Sequence, residues 1–304
     1  MHPYYRAVMD AYVGSGRPFF HQVTPVEARA MLRDSQRAAP PRVGLPELAQ
    51  VIDESIEAAH GSIPIRRYVP SGQVMASCLY LHAGGWVIGD LDFSDATCRR
   101  FAAAARCEVI SVDYRLAPEN PWPAGLDDAY AALEWMAAHR TSPLAIMGES
   151  AGGNLAAVCT IRARDSGGPV LLAQVLAYPV TDHDFASASY RELGDRNWLL
   201  STADMRWFWD HYCPAPIDRT NPRVSPLHVA DAAGLPPAWI SVAELDPLRE
   251  EGLAYARHLA SAGVQVRQRC DRGMLHGYLG AAGAVPEATA ALDDAAGWLR
   301  EQLG

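Results

Sequence analysis

The chain has 304 residues, 49% of them hydrophobic and 20% charged, and carries a formal net charge of −9. That length accommodates one α/β domain with insertions and a sizeable core, and the composition excludes a largely disordered, collagen-like or solenoid chain. The acidic balance, with no Lys/Arg-rich run, argues against nucleic acid and anionic membrane surfaces as partners, and the absence of any lysine excludes P-loop, Schiff-base, Ser-Lys and protein-kinase chemistries.

From Met1 to about Ala59 the pattern reads mainly as helix, with Pro25 placed to open a helix through about Gln36 and a break at Pro40 and Pro41. Residues 51–58 fit strand and helix equally well. From Ile63 short apolar runs alternate with longer amphipathic ones. The strands IPIRRYV and SCLYLH precede a helix near Asp95 to Arg106, then the strand EVISVDY and a helix near Leu126 to His139. The strand LAIMG, a helix from Gly152 to Arg164 and the strand LLAQVLAY come next. After an irregular stretch follow AWISVAE, a helix near Arg249 to Ala262, VQVRQRC, and a closing helix near Ala288 to Gln302. This alternation predicts a mostly parallel sheet with helices on both faces.

The irregular stretch, residues 182–226, holds Trp198, Trp207, Phe208 and Trp209 and reads as an insertion above the sheet. With N-terminal helices at 1–45 it forms a cap over a catalytic domain of 46–304, since ligands of open α/β sheets bind beyond the carboxyl ends of the strands. The segment MRWFWDHY also fits an amphipathic helix packed on the core. Cys78, Cys98, Cys107, Cys159, Cys213 and Cys270 lie far apart, which suits free thiols in a reducing compartment. The N-terminus lacks a continuous apolar segment, and the longest apolar stretch, near Val170 to Val180, is too short to span a bilayer. A soluble, cytoplasmic protein is expected.

Gly148-Glu149-Ser150-Ala151-Gly152 fits G-x-S-x-G, a weak pattern alone. Here it follows the apolar strand LAIM and opens the helix GGNLAAVCTIRAR, the strand-turn-helix setting that lifts a serine hydroxyl above a sheet. A serine needs a base and an orienting acid, and in this setting they follow in the order Ser, Asp or Glu, His. Asp246, in ELDPL after one late strand, and His276, in GMLHGY after the next, occupy those places. Asp271 and Asp182 are rival acids, and His258 falls inside a helix. Gly84 and Gly85, after the strand SCLYL, offer backbone N–H groups which with that of Ala151 form an oxyanion hole.

HAGGW at 82–86, DYRLAPE at 113–119, GESAGGN at 148–154, DPL at 246–248 and HGY at 276–278 share order and spacing with a known family. By these motifs the chain resembles the bacterial hormone-sensitive-lipase-like α/β-hydrolase esterases. The resemblance implies an α/β-hydrolase fold with eight strands, a helical cap from the N-terminus and the insertion, and hydrolysis of a small-molecule ester with no cofactor. It assigns Asp113, Arg115 and Glu119 a structural role near the oxyanion loop, and it suggests a homodimer joined through the last strand. Two residues depart from the pattern. Ala83 replaces a glycine, which is harmless at negative φ and distorting at positive φ. Glu149 stands where aspartate is commoner.

A serine carboxylesterase acting on short to medium acyl esters is therefore expected, with Trp86, Tyr178, Trp207 and Trp209 lining a pocket whose bulk favours short chains. The same triad would serve an amidase or deacetylase, which matched ester and anilide substrates would separate. A non-catalytic receptor for a small ligand would lack the catalytic histidine. No HExxH and no clustered His/Cys spacing suggests a metal.

Overall fold

The computed structural model, which describes residues 1–39, 44–196 and 198–304, is built on one eight-stranded sheet. The break expected at Pro40 and Pro41 lies outside the described residues. The chain opens with α1 (Pro3–Gly14), a 3-10 turn (Phe20–Gln22) and α2 (Pro25–Ala38). Thr24 caps α2 in a reciprocal box with Glu27, and Pro25 occupies the first turn, where its missing N–H has no intrahelical partner to lose. Next come β1 (Gln50–Ala58), β2 (Gly61–Val69), β3 (Ala76–Leu81), α3 (Asp95–Ala105), β4 (Cys107–Val112), α4 (Ala124–His139), β5 (Leu144–Glu149), α5 (Ala151–Ser166) and β6 (Ala173–Ala177). The remainder is α6 (Ala188–Leu193), α7 (Thr202–Tyr212), β7 (Ala238–Leu245), α8 (Arg249–Ser261), β8 (Val266–Leu275) and α9 (Pro286–Glu301).

The strand order is β1-β2-β4-β3-β5-β6-β7-β8. From β4 to β8 every neighbouring pair is parallel, while β1 and β2 form an antiparallel hairpin that also joins β4 antiparallel. The helical reading of the N-terminal segment thus stops at α2. Residues 50–58 extend because their inward side chains, Ile52 and Ile56, alternate with charged ones, which suits a strand at the sheet's margin. The central strands are covered by helices on both faces, so β3 and β4 are buried at every position. One core layer gathers α4, α5 and α8 against the sheet. The other gathers α3 and α9.

Register sets where the chemistry falls. Leu81 of β3 lies beside Gly148 of β5, Glu149 beside Ala177 of β6, Ala177 beside Ser241 of β7, and Leu245 beside Leu275 of β8. The chain therefore leaves the carboxyl ends of five adjacent strands along one rim, at His82, Ser150, Tyr178, Asp246 and His276.

The N-terminal segment and the insertion meet above that rim. His21 donates its backbone N–H to Asp204 of α7 at 3.1 Å, and its ring Nδ1 meets the same oxygen at 2.7 Å. Phe20 packs on Phe208 with ring centroids 5.9 Å apart. Arg29 of α2 donates to the carbonyls of Val87 and Ala117 and grips Glu119 with both terminal nitrogens. Among the described residues no helix is long and apolar enough to cross a membrane.

Candidate active site

Ser150 sits between β5 and α5 at φ 55° and ψ −119°, a conformation that L residues adopt only when the surroundings impose it. Here backbone bonds impose it: Ser150 N–H donates to Ala177, and Ser150 C=O accepts from Asn154 and Val180. The flanking glycines are required by proximity. A Cβ on Gly148 would lie 2.1 Å from the Gly152 carbonyl oxygen, and one on Gly152 would lie 2.0 Å from that of Leu81. The sharp turn aims the hydroxyl away from the sheet while the start of α5 presents its positive end beside it.

His276 leaves β8 and Asp246 leaves β7, and the two side chains converge on the serine. His276 Nε2 is 2.8 Å from Ser150 Oγ, and His276 Nδ1 is 2.7 Å from Asp246 Oδ2. An ionised carboxylate only accepts, so Nδ1 carries the hydrogen and Nε2 faces the hydroxyl with its lone pair. Asp246 is fully buried, and its other oxygen takes the N–H of Leu248. The structure thus brings together Ser150, Asp246 and His276.

The rival groups are occupied elsewhere. Asp271 lies within β8 and receives Arg269 and the hydroxyl of Tyr278. Asp182 faces His228, and the His258 ring meets the Val229 carbonyl.

The loop after β3 is bent by glycine. Gly84 has φ 126° and Gly85 φ 58°, whereas Ala83 stays outside the positive-φ region, so the alanine leaves the loop undistorted. A Cβ on Gly84 would strike the Ile88 carbonyl at 2.0 Å. His82 anchors the loop: its Nδ1 donates to the Ala83 carbonyl at 2.7 Å, its ring stacks on Tyr114, and burial lowers its pKa to about 4. It is therefore neutral at physiological pH. Among the described residues the amides of Gly84 and Gly85 donate to no other protein group, and Ala151, as first residue of α5, has no intrahelical acceptor. Arg29 and Glu119 brace the loop through Val87, and Arg115 pairs with the buried Asp128.

The aromatic residues divide by packing. Trp86, at φ 62°, is 1% exposed and stacked on Tyr212, with Trp209 against both. Trp209 and Tyr178 are fully buried, so these three rings present no free face, while Trp207 keeps a partly exposed edge. The reading of all four as pocket lining gives way at Trp86, Trp209 and Tyr178, whose surfaces are used up by neighbours. Phe208, which sequence reasoning left unassigned, lies directly over the loop: a Cβ on Gly85 would fall 2.1 Å from its ring. The signal was in the phase of α7, which buries positions 204, 205, 208, 209 and 212 and turns 207 aside. Among the described residues no group of His, Cys, Asp or Glu is arranged to hold a metal ion.

A triad with a glycine loop and a nucleophile elbow on a mostly parallel sheet defines a class, and comparison with known proteins agrees. The family profile described as alpha/beta hydrolase fold matches residues 78–280. Esterase LipI of Mycobacterium tuberculosis is 42% identical over 275 residues, covering 86% of this chain and 84% of its own. Ethyl acetate hydrolase of Pseudomonas putida is 33% identical over 298 residues, covering 93% and 92%. A solved thermostable esterase from Pseudomonas putida superposes with a TM-score of 0.92 at 34% identity, over 100% of this chain and 98% of its own. The chain belongs to the alpha/beta hydrolase fold family, and the resemblance to hormone-sensitive-lipase-like esterases read from its motifs is borne out.

Proposed function

We propose that this protein is a serine carboxylesterase that hydrolyses short to medium acyl esters through an acyl-serine intermediate. The observation that carries the reading is the continuous line of contacts from Asp246 through His276 to Ser150, at 2.7 and 2.8 Å. His276 takes the hydroxyl proton as Ser150 attacks the ester carbonyl, and Asp246 holds the tautomer and stabilises the imidazolium that forms. The amides of Gly84, Gly85 and Ala151 receive the oxyanion. Collapse of the tetrahedral adduct expels the alcohol with the proton from His276. Water then attacks the acyl-serine through the same base and frees the acid. Phe208, packed against Gly85, narrows the space over the loop and favours small acyl groups. The helices of residues 1–45 and 182–226 act as a cap over the catalytic unit of 46–304. We further place the enzyme in the cytoplasm, in keeping with six free thiols, and pair it as a homodimer along the open edge of β8.

The test is steady-state hydrolysis of p-nitrophenyl esters from acetate to palmitate. Activity should peak at the short chains, and Ser150→Ala should lose at least about a thousandfold in kcat while retaining the wild-type unfolding midpoint. An undiminished rate in that variant, or silence across the series in folded wild type, overturns the reading.

A further inference from the structure

Two in-plane contacts hold His276, one at each ring nitrogen. Both act along the imidazole plane, so neither resists tilting of that plane, and the terminal torsion of histidine is intrinsically broad. Tyr178 meets the ring in a T-shaped contact, with centroids 5.0 Å apart and planes at 65°.

Tyr178 is itself held unusually firmly. Its backbone lies at φ 37°, its N–H donates to the Ser241 carbonyl at 2.6 Å, and Tyr278 packs against its ring at 5.4 Å. Its hydroxyl donates to Glu149 Oε2, while Tyr80 donates to Oε1 of the same carboxylate at 2.5 Å. Burial, reinforced by the charge of Glu149, raises both phenols well above their usual range, so they remain protonated donors. Glu149 immediately precedes the nucleophile in the strained elbow. In the same backbone an aspartate would hold its carboxylate one carbon–carbon bond, about 1.5 Å, further back from both hydroxyls.

We propose that Tyr178, anchored by Glu149, is a positioning residue that fixes the tilt of the His276 imidazole relative to Ser150. The carboxylate beside the nucleophile fixes the phenol beside the base, so serine and histidine share one reference point. Glutamate in place of the commoner aspartate is the residue that lets this link reach. The proposal rests on the triad assigned above, yet its test does not depend on ester turnover alone.

The experiment compares full-length wild type, Tyr178→Phe, Glu149→Gln and the double variant. Each single variant should lower kcat on p-nitrophenyl acetate about tenfold with KM within about twofold, and the double variant should lose little more than the worse single one. The downfield proton resonance of His276 Nδ1–H should be sharp in wild type and broadened in Tyr178→Phe. A folded Tyr178→Phe protein with wild-type kcat and an unchanged resonance overturns the proposal, as do independent, multiplicative losses in the double variant. If wild type proves silent on esters, the esterase reading fails, and the resonance alone decides whether Tyr178 orders the imidazole.

Discussion

Two residues just beyond the carboxyl ends of the paired strands β3 and β4, His82 and Asp113, respond to pH in opposite senses. His82 is lowered from 6.5 to about 4 by burial, so between those values the unfolded chain binds a proton that the native state refuses. Its contribution is present above 6.5 and is lost as pH falls through about 4. Asp113 is raised from 3.8 to about 6, first by burial and then by the charges of Asp90 and Asp92. Here the native state holds the extra proton, so the contribution is present below 3.8 and disappears as pH rises through about 6. The two effects offset each other across nearly the same window. Asp113→Asn, uncharged at every pH, should therefore unfold at a higher temperature than wild type at pH 7.5 and near the wild-type temperature at pH 4. A gain of equal size at both values would remove the titration of Asp113 as its cause. Residues of this kind were not legible in the sequence, because burial and neighbouring charge set them. Ser150, Asp246 and His276 were legible as candidates because few residue types can perform their chemistry and the chain order of this fold restricts where they fall. Tyr178 and Phe208 show the boundary of such reading: a ring that faces ligand and a ring that supports its neighbour are written with the same letter.

At the scale of elements, α7 depends on the segment before α2. Asp204 is 1% exposed and accepts from the backbone and ring of His21 with one oxygen and from the backbone and hydroxyl of Ser201 with the other. It closes the N-terminus of α7 and ties that helix to the N-terminal segment at once. Asp204→Ala leaves several buried donors unmatched and should cost about 2–4 kcal/mol, measured by urea unfolding. It should also lower kcat/KM, because Phe208 is positioned over Gly85 by the same helix. Wild-type stability in this variant would show that the tie is dispensable. Sequence patterning anticipated a helix at MRWFWDHY and the proline that opens α2, since both rest on local signals. It left β1 undecided, because an edge strand is recognised by the hairpin partner that pairs with it.

For the molecule as a whole, strand-helix alternation sufficed to predict a mostly parallel sheet, while the contacts between the N-terminal segment and the 182–226 insertion, being long-range, had no local signature. Among the described residues the sheet ends on one side at β8, whose strand neighbour is β7. Its outward backbone groups can continue the sheet into a second copy. The dimer proposed along β8 should elute near twice 33.0 kDa, and Gln268→Pro, at a position whose backbone N–H points away from β7, should shift it to the monomer volume. A wild-type monomer across the micromolar range would dismiss it. One attachment also bears on how the chain is made. The His2 amide donates to Gly273, and the Tyr5 hydroxyl donates to the carbonyl of Tyr278, 273 residues downstream. At synthesis rates of about 5–20 residues per second, the first helix waits on the order of tens of seconds for its docking surface to be translated. Throughout that interval Tyr5 and Met9 are the apolar face of an undocked helix, accessible to whatever receives nascent chains.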